Sequence, residues 1–209
     1  NSHDTPLPAE TAVGLNPAAG AVIDYTLGAG AAGPITLEIR DSKGALVRRF
    51  ANDDKPVAAR AHRYFAADWL KPLPVLAATP GAHRFVWDLR YPQPRAISYE
   101  YGIGAVYGVN TPTLPAGAYV LPGRFEVILK AGAQQWRQPL SVQADPRIAT
   151  PMADLQRALA YSMVAAQALD EAYVANGEVL ARRKQLTALH PGLRGGLLEA
   201  ANVLEQKTT

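Results

Sequence analysis

Short segments in which apolar and polar residues alternate are the feature that most limits how this chain can fold. In residues 35–40, with the sequence ITLEIR, every odd-numbered residue is apolar and every even-numbered residue is polar. Alternation of this kind is typical of a β-strand with one face on a core and the other in water. The pattern therefore predicts a strand here, with Thr36, Glu38 and Arg40 on its solvent face.

The segments around this strand show similar patterns and are separated by turns. Residues 41–44 form a predicted turn that ends in Gly, so residues 46–50 are expected to return as an antiparallel partner. Roughly seven short strands with no helical segment between them predict an antiparallel β-sandwich rather than a parallel sheet. Phe85 and Trp87 are expected in its core. The other predicted strands are residues 21–27, 83–89, 123–130 and 135–142.

The composition changes near residue 146, which divides the chain into a predicted β domain (1–146) and a predicted helical hairpin (147–209). All three Trp residues precede this point, and Pro occurs after it only at residues 151 and 191. Thr150 suits the N-cap of a helix and Pro151 its first position, so a helix is predicted to begin at Thr150.

The first predicted helix carries one apolar stripe. Its members recur at helical spacing: Leu155, Leu159, Met163, Ala166, Leu169 and Tyr173. Leu159, Met163 and Tyr173 are expected to be buried, either against the sandwich or within the hairpin.

Two breaks are predicted in the helical part. Asn176 and Gly177 are expected to kink or break the first helix. The helical pattern stops at residues 190–192, and a second helix is predicted at about residues 194–206.

Two long insertions interrupt the predicted strands, at about residues 52–80 and 91–122. Long loops in a compact domain are usually functional or mobile. Aromatic side chains combine apolar area with a polar tip, so a group of them could stack on sugar rings or grip a peptide. The alternative is that they fix a long loop onto the sandwich or contact another domain. The candidates for such ligand or domain contacts are Trp69, Tyr91, Tyr99, Tyr101 and Tyr107.

The composition excludes several classes of function. The chain has no cysteine, which rules out disulfides, thiolate nucleophiles and Cys-ligated metal sites. Its formal net charge of +3 is small for 209 residues, and no basic stripe with interleaved aromatics occurs. Nucleic acid is therefore not an expected partner. No apolar run approaches the roughly 20 residues of a membrane span, so no transmembrane segment is expected.

No catalytic residue, cofactor or metal is expected. His62 and His83 are the mid-chain histidines, and their spacing fits no common metal motif. The neighbouring carboxylates Asp53 and Asp54 suit a solvated turn better than the acid pair of a glycosidase, which lies across a cleft. Residues 28–33 match G-x-G-x-x-G, but a strand rather than a helix follows them, so they are interpreted as a flexible connection.

Several motifs resemble known families. The hairpin ITLEIRDSKGALVRRF, the strand FVWDLR and the motif PAGAY resemble the Ig-like domain of the flagellar-hook assembly protein. More closely, NPAAGAVIDYTL, FVWDLRYPQPRAISYEYGI, VLPGRF and QPLSVQADPR resemble the C-terminal region of bacterial secreted glycosyl-hydrolase-like proteins with BNR/sortilin-type β-propeller repeats.

The resemblance implies an Ig-like sandwich in a secreted, periplasmic or cell-surface protein. It also implies an upstream β-propeller in the same polypeptide as a partner. In that family any hydrolase chemistry would belong to the propeller, and no catalytic residue of the family maps onto these 209 positions.

Three functions follow, in order of preference. The first is a non-catalytic accessory or interaction module that forms the C-terminal part of a larger secreted propeller protein. The second is a carbohydrate-binding module that uses the aromatic loop. The third, an independent hydrolase, is least favoured because His is scarce, Cys is absent and no paired acids are marked.

Overall fold

The computed structural model describes residues 17–30, 33–55, 75–96, 115–189, 192 and 194–207. These residues form six β-strands followed by two α-helices. The helices are α1 (Met152–Leu189) and α2 (Gly196–Lys207). The strands are β1 (Ala21–Leu27), β2 (Ile35–Asp41), β3 (Leu46–Ala51), β4 (Gly81–Trp87), β5 (Gly123–Ala131) and β6 (Gln134–Val142). Each predicted strand is confirmed to within two residues at either end.

The strands make two antiparallel sheets. β1 pairs with β4, and the second sheet has the order β3-β2-β5-β6. In β1 the pairing runs without interruption from Ala21 opposite Trp87 to Leu27 opposite Gly81. Within the described residues the count is six strands, where the sequence suggested about seven.

The inner faces of the two sheets meet in one core. Phe50 of β3 lies against Phe85 of β4, with ring centroids 4.6 Å apart, and Trp87 of β4 meets Phe125 of β5 edge-on at 5.6 Å. Phe85 and Trp87 are fully or almost fully buried, as predicted. The other core members are Tyr25, Leu27, Ile35, Leu37, Ile39, Val47, Leu76, Val120 and Val127. A β-sandwich is therefore the architecture of this part of the chain.

The predicted solvent face of β2 holds one exception, Glu38. Thr36 and Arg40 are partly exposed, but Glu38 is only 8% exposed. Its Oε1 accepts a hydrogen bond from Lys130 Nζ at 2.5 Å, and its Oε2 accepts two from the Arg40 guanidinium at 2.8 and 3.0 Å. These cations satisfy the carboxylate, which makes the burial of the charge tolerable.

The ion pairs of Glu38 predict a change in acid stability. Lys130 and, to a lesser extent, Arg40 hold the pKa of Glu38 below its ordinary value of 4.5. A carboxyl with a lowered pKa contributes stability above the pKa of the unfolded state, and this contribution is lost as the pH falls through the folded pKa. We expect Glu38→Gln to be less stable at pH 7 and to lose less stability than the parent on acidification below about pH 4.5.

The measurement is urea unfolding as a function of pH, with Glu126→Gln as the control. Glu126 also accepts from an arginine, Arg137, at 2.8 Å, but its side chain is 40% exposed. Exposed pairs contribute only about 0–1 kcal/mol. Parallel pH curves for the parent and Glu38→Gln would contradict the assignment.

Helix α1 begins two residues later than predicted. The carbonyl of Pro151 accepts hydrogen bonds from the backbone N–H of Asp154 at 3.0 Å and Leu155 at 3.2 Å. Pro151 therefore precedes the first helical residue instead of occupying it. The helix ends at Leu189, where the sequence predicted a stop.

The predicted break at Asn176 and Gly177 is wrong, because α1 runs through both residues as one helix of 38 residues. A glycine inside a helix costs about 1 kcal/mol relative to alanine. The flanking residues are rich in Ala, Leu, Glu and Arg, which favour helix and offset that cost.

The predicted burial of the α1 stripe is also wrong. No residue of α1 is buried: Met163 is 42% exposed, Tyr173 is 43% exposed and Leu159 is partly exposed. The stripe has the right spacing for a packed face, but the described part of the sandwich does not cover it. The second helix contacts α1, and its Ala201 is buried.

Candidate interaction surfaces

Of the five aromatic candidates, Tyr91 lies in the described residues, and the other four, Trp69, Tyr99, Tyr101 and Tyr107, lie outside them. Tyr91 is partly buried and packs against the core, and this burial raises the pKa of its hydroxyl. Its N–H donates to Ala118 O at 2.9 Å, and its carbonyl accepts from Arg48 Nη1 at 2.9 Å. These backbone bonds and the partly buried ring hold residue 91 against the sandwich.

The WDLRY segment (residues 87–91) begins with the last residue of β4, Trp87, whose side chain bonds to the backbone just after the strand. Trp87 donates through its indole Nε1 to Arg90 O at 3.0 Å. Asp88 Oδ1 accepts from the Arg90 N–H at 3.2 Å, and Leu89 between them has a positive φ of 59°. Two residues after the fully buried Trp87 the chain therefore bends, with Leu89 in a left-handed conformation that is uncommon for leucine.

The PAGAY motif (residues 115–119) packs against the WDLRY segment. Gly117 lies so close to Tyr91 that an added Cβ would be 2.0 Å from the Tyr91 carbonyl oxygen. Arg90 donates to Gly117 O at 2.7 Å, and its guanidinium lies 3.5 Å from the ring centroid of Tyr119. The WDLRY and PAGAY segments therefore form one backbone junction in this chain. The sequence marked both motifs but did not show that they meet.

A second junction joins the sandwich to α1. The backbone N–H of Arg95 donates to Asp170 Oδ1 at 2.6 Å, and Arg95 Nη2 donates to Asp170 Oδ2 at 3.2 Å. These bonds lower the pKa of Asp170 and keep it ionised. A cavity of about 740 Å³ lies beside them, between residues 91–95 and α1. The sequence does not predict the pairing of Arg95 with Asp170, because 75 residues separate the two.

Helix α1 presents apolar side chains to solvent. Leu169, Tyr173 and Leu180 are 38%, 43% and 53% exposed. Their spacings of four and seven residues place them on one face of the helix. Val164 is 67% exposed and lies about 140–180° around the helix from them. We call the face of Leu169, Tyr173 and Leu180 the α1 seam.

Two of the polar candidates of the sequence, Asp54 and His83, have structural partners. Asp54 Oδ2 accepts from the Ala51 N–H at 2.6 Å in the turn after β3, and Asp53 is exposed. His83 Nε2 donates to Thr79 O at 2.6 Å. His62 lies outside the described residues, among which no three His, Asp or Glu side chains are grouped as a metal site would need.

Within the described parts of the chain, neither helix has the length and apolar character required to span a bilayer. Compared with known proteins, the chain matches no protein-family model, no curated protein and no solved structure.

Proposed function

We propose that this chain is a non-catalytic interaction module of a larger secreted protein, in which a preceding β-propeller packs against the α1 seam. The observation that carries the proposal is a helix of 38 residues, about 57 Å long, without one buried residue. Helices in proteins owe most of their stability to the packing of an apolar face. An apolar face that is left open on so long a helix therefore favours a further packing partner.

The choice of a propeller of the same polypeptide rests on the sequence resemblance. The motifs that carry it extend from residue 16 to residue 147 and resemble a region that follows BNR-type repeats in its family. An Ig-like topology and a secreted location belong to the same proposal. The two facing antiparallel sheets support the first of these.

The state of the carboxylates supports a non-catalytic role. General acids in enzymes need a pKa raised toward neutrality, usually by burial or by a neighbouring carboxylate. Four carboxyls of the described residues have a clearly shifted pKa, and in each a basic partner lowers it. They are Asp24 beside Arg84, Glu38 beside Lys130, Asp145 beside Arg147 and Asp170 beside Arg95. Each is thereby held as an ionised structural partner.

The test uses the complete gene product and the isolated chain. The reading frame of the complete gene should encode BNR-type repeats upstream of Asn1. Hydrogen exchange of the backbone amides of α1 should be at least tenfold slower in the complete protein than in the isolated chain. Leu169→Gln with Leu180→Gln should remove this difference, because polar side chains in the seam oppose packing. Leu189→Gln, the same change at a leucine that is 62% exposed on the opposite side of the helix, should leave it unchanged. The isolated chain should turn over no sialoside, aryl glycoside or peptide above a buffer control.

Three results would contradict the proposal. One is equal exchange of α1 in both proteins. Another is self-association of the isolated chain that the Leu169 and Leu180 changes abolish, which would assign the seam to a second copy. The last is turnover that survives repurification and disappears in His62→Ala, which would make the chain an enzyme.

A further inference from the structure

A groove runs along one side of the sandwich, between β1 and β6. Its volume is about 400 Å³. The floor comes from the inner face of the four-stranded sheet, with Leu37, Val127 and Leu129, and the side walls from β1 and from Trp136 and Leu140 of β6. Ile23, Leu129 and Leu140 also pack against the core, so the groove continues the interface between the two sheets.

The groove exists because the two sheets differ in width. Phe50 of β3 contacts Phe85 of β4, so β4 lies over β3. Residues of β1 line the groove together with Leu37 of β2 and Val127 of β5, so β1 lies over β2 and β5. A two-stranded sheet cannot also cover the fourth strand, β6. No residue of β6 is buried, and Trp136 is 47% exposed although its register partner Leu129 faces the interior. The uncovered inner face of β6 therefore lies across the groove from β1.

Among the described strands, β1 pairs only with β4, so its other edge has no partner strand in that part of the chain. Residues 22–26 of β1 line the groove, which places this edge along it. Natural edge strands are usually protected by charged side chains, proline or a bulge. β1 has no proline over its seven residues, its register with β4 is continuous, and its one charged residue, Asp24, is paired with Arg84 of β4. β6, by contrast, carries Pro139 in its second half.

The charges at the groove restrict the occupant. Asp24 is the single charged residue in its lining, and the Arg84 guanidinium neutralises it through hydrogen bonds of 2.8 and 2.9 Å. The remaining lining is apolar, or uncharged and polar as in Thr26 and Gln138. An uncharged occupant is therefore complementary to the groove, whereas a charged side chain inside it would have no partner.

We propose that this groove binds an uncharged, extended peptide segment of a partner protein by strand addition to β1. The backbone of the segment hydrogen-bonds to the open edge of β1, as in other cases of β-augmentation. Every second side chain, which is apolar, enters the groove toward Trp136 and Leu140. This site lies on the sandwich and stands independently of the α1 seam on which the proposed function rests.

The experiment uses an array of immobilised, uncharged heptapeptides and the full chain. Odd positions carry Val, Ile, Leu, Phe or Tyr, and even positions carry Ser, Thr, Asn or Gln. Each peptide has a matched version with Pro at two even positions, which removes backbone donors. We expect binders whose Pro versions bind at least tenfold more weakly, and we expect the amides of Ala21–Leu27 to exchange more slowly when a binder is present.

A matched pair of variants on β6 locates the site. Gln138 lines the groove, while Gln135 lies opposite Lys130 on the outer face of the same strand, and both are exposed. Gln138→Glu places a charge in the groove and should weaken binding at least tenfold. Gln135→Glu makes the same change outside it and should leave binding unchanged.

Several outcomes would overturn this proposal and leave the proposed role of the α1 seam unaffected. They are an array without binders, equal binding of the Pro versions, and equal loss in both Gln variants. Dimerisation of the free chain that Gln138→Glu abolishes would assign the groove to a second copy instead. Binding of a neutral oligosaccharide without protection of the β1 amides would assign it to a sugar.

Discussion

Replacement of Trp87 by alanine is expected to destabilise the sandwich by about 3–5 kcal/mol, as large truncations in a packed core do. Trp87 is completely buried, and its ring meets Phe125 edge-on. The indole N–H also satisfies the carbonyl of Arg90 at the bend after β4. Alanine would leave both a cavity and an unpaired carbonyl. Guanidinium unfolding followed by far-ultraviolet circular dichroism would measure the loss.

The matched control is Trp136→Ala, the same change at a tryptophan that is 47% exposed. Its expected cost is below about 1 kcal/mol, in the range of surface substitutions. A cost below about 1 kcal/mol for Trp87→Ala as well would mean that Trp87 does not hold the two sheets together.

Gly117→Ala is the second substitution with a large expected effect. An added Cβ would lie 2.0 Å from Tyr91 O and 2.8 Å from Pro92 O, and both are backbone atoms that cannot rotate away. The junction between the WDLRY and PAGAY segments would have to separate, with loss of the bond from Tyr91 N to Ala118 O. The expected cost is at the upper end of the roughly 1–3 kcal/mol that overpacking produces.

Gly28→Ala controls for the general effect of replacing glycine. No atom outside its immediate neighbours lies within 4 Å of a Cβ at Gly28, and its φ is not positive. Its stability should therefore change by no more than about 0.5 kcal/mol. Thermal and chemical unfolding of both variants would test the difference. Equal stabilities would show that the two segments do not meet as closely as described.

The strands could be predicted from sequence because each is determined by local alternation. Ile35, Leu37 and Ile39 must share a face whatever the rest of the chain does, and the turn before Leu46 fixes the direction of β3. The burial of Glu38 could not be predicted, since it depends on Lys130, a residue 92 positions away that only the pairing of β2 with β5 brings near.

The helical part shows the opposite limit of sequence reasoning. The spacing of Leu169 and Tyr173 correctly places them on one face of α1, but spacing does not state what covers that face. The sequence predicts burial of the stripe because apolar faces of helices are usually covered. The contacts of Tyr91 could not be predicted from the sequence either, because the close approach of Gly117 to Tyr91 depends on how two distant segments fold together.

The order of the strands has a consequence for how the chain folds. β2 and β3 are joined by a short turn, as are β5 and β6, so each of these hairpins can form from local contacts. The pairings that build the sandwich are remote: Ile35 meets Ala131, and Ala21 meets Trp87. Remote pairings must overcome the entropy of loop closure before they gain contacts, and this slows folding. This topology favours a folding pathway in which the two hairpins form early and the docking of β2 onto β5 limits the rate.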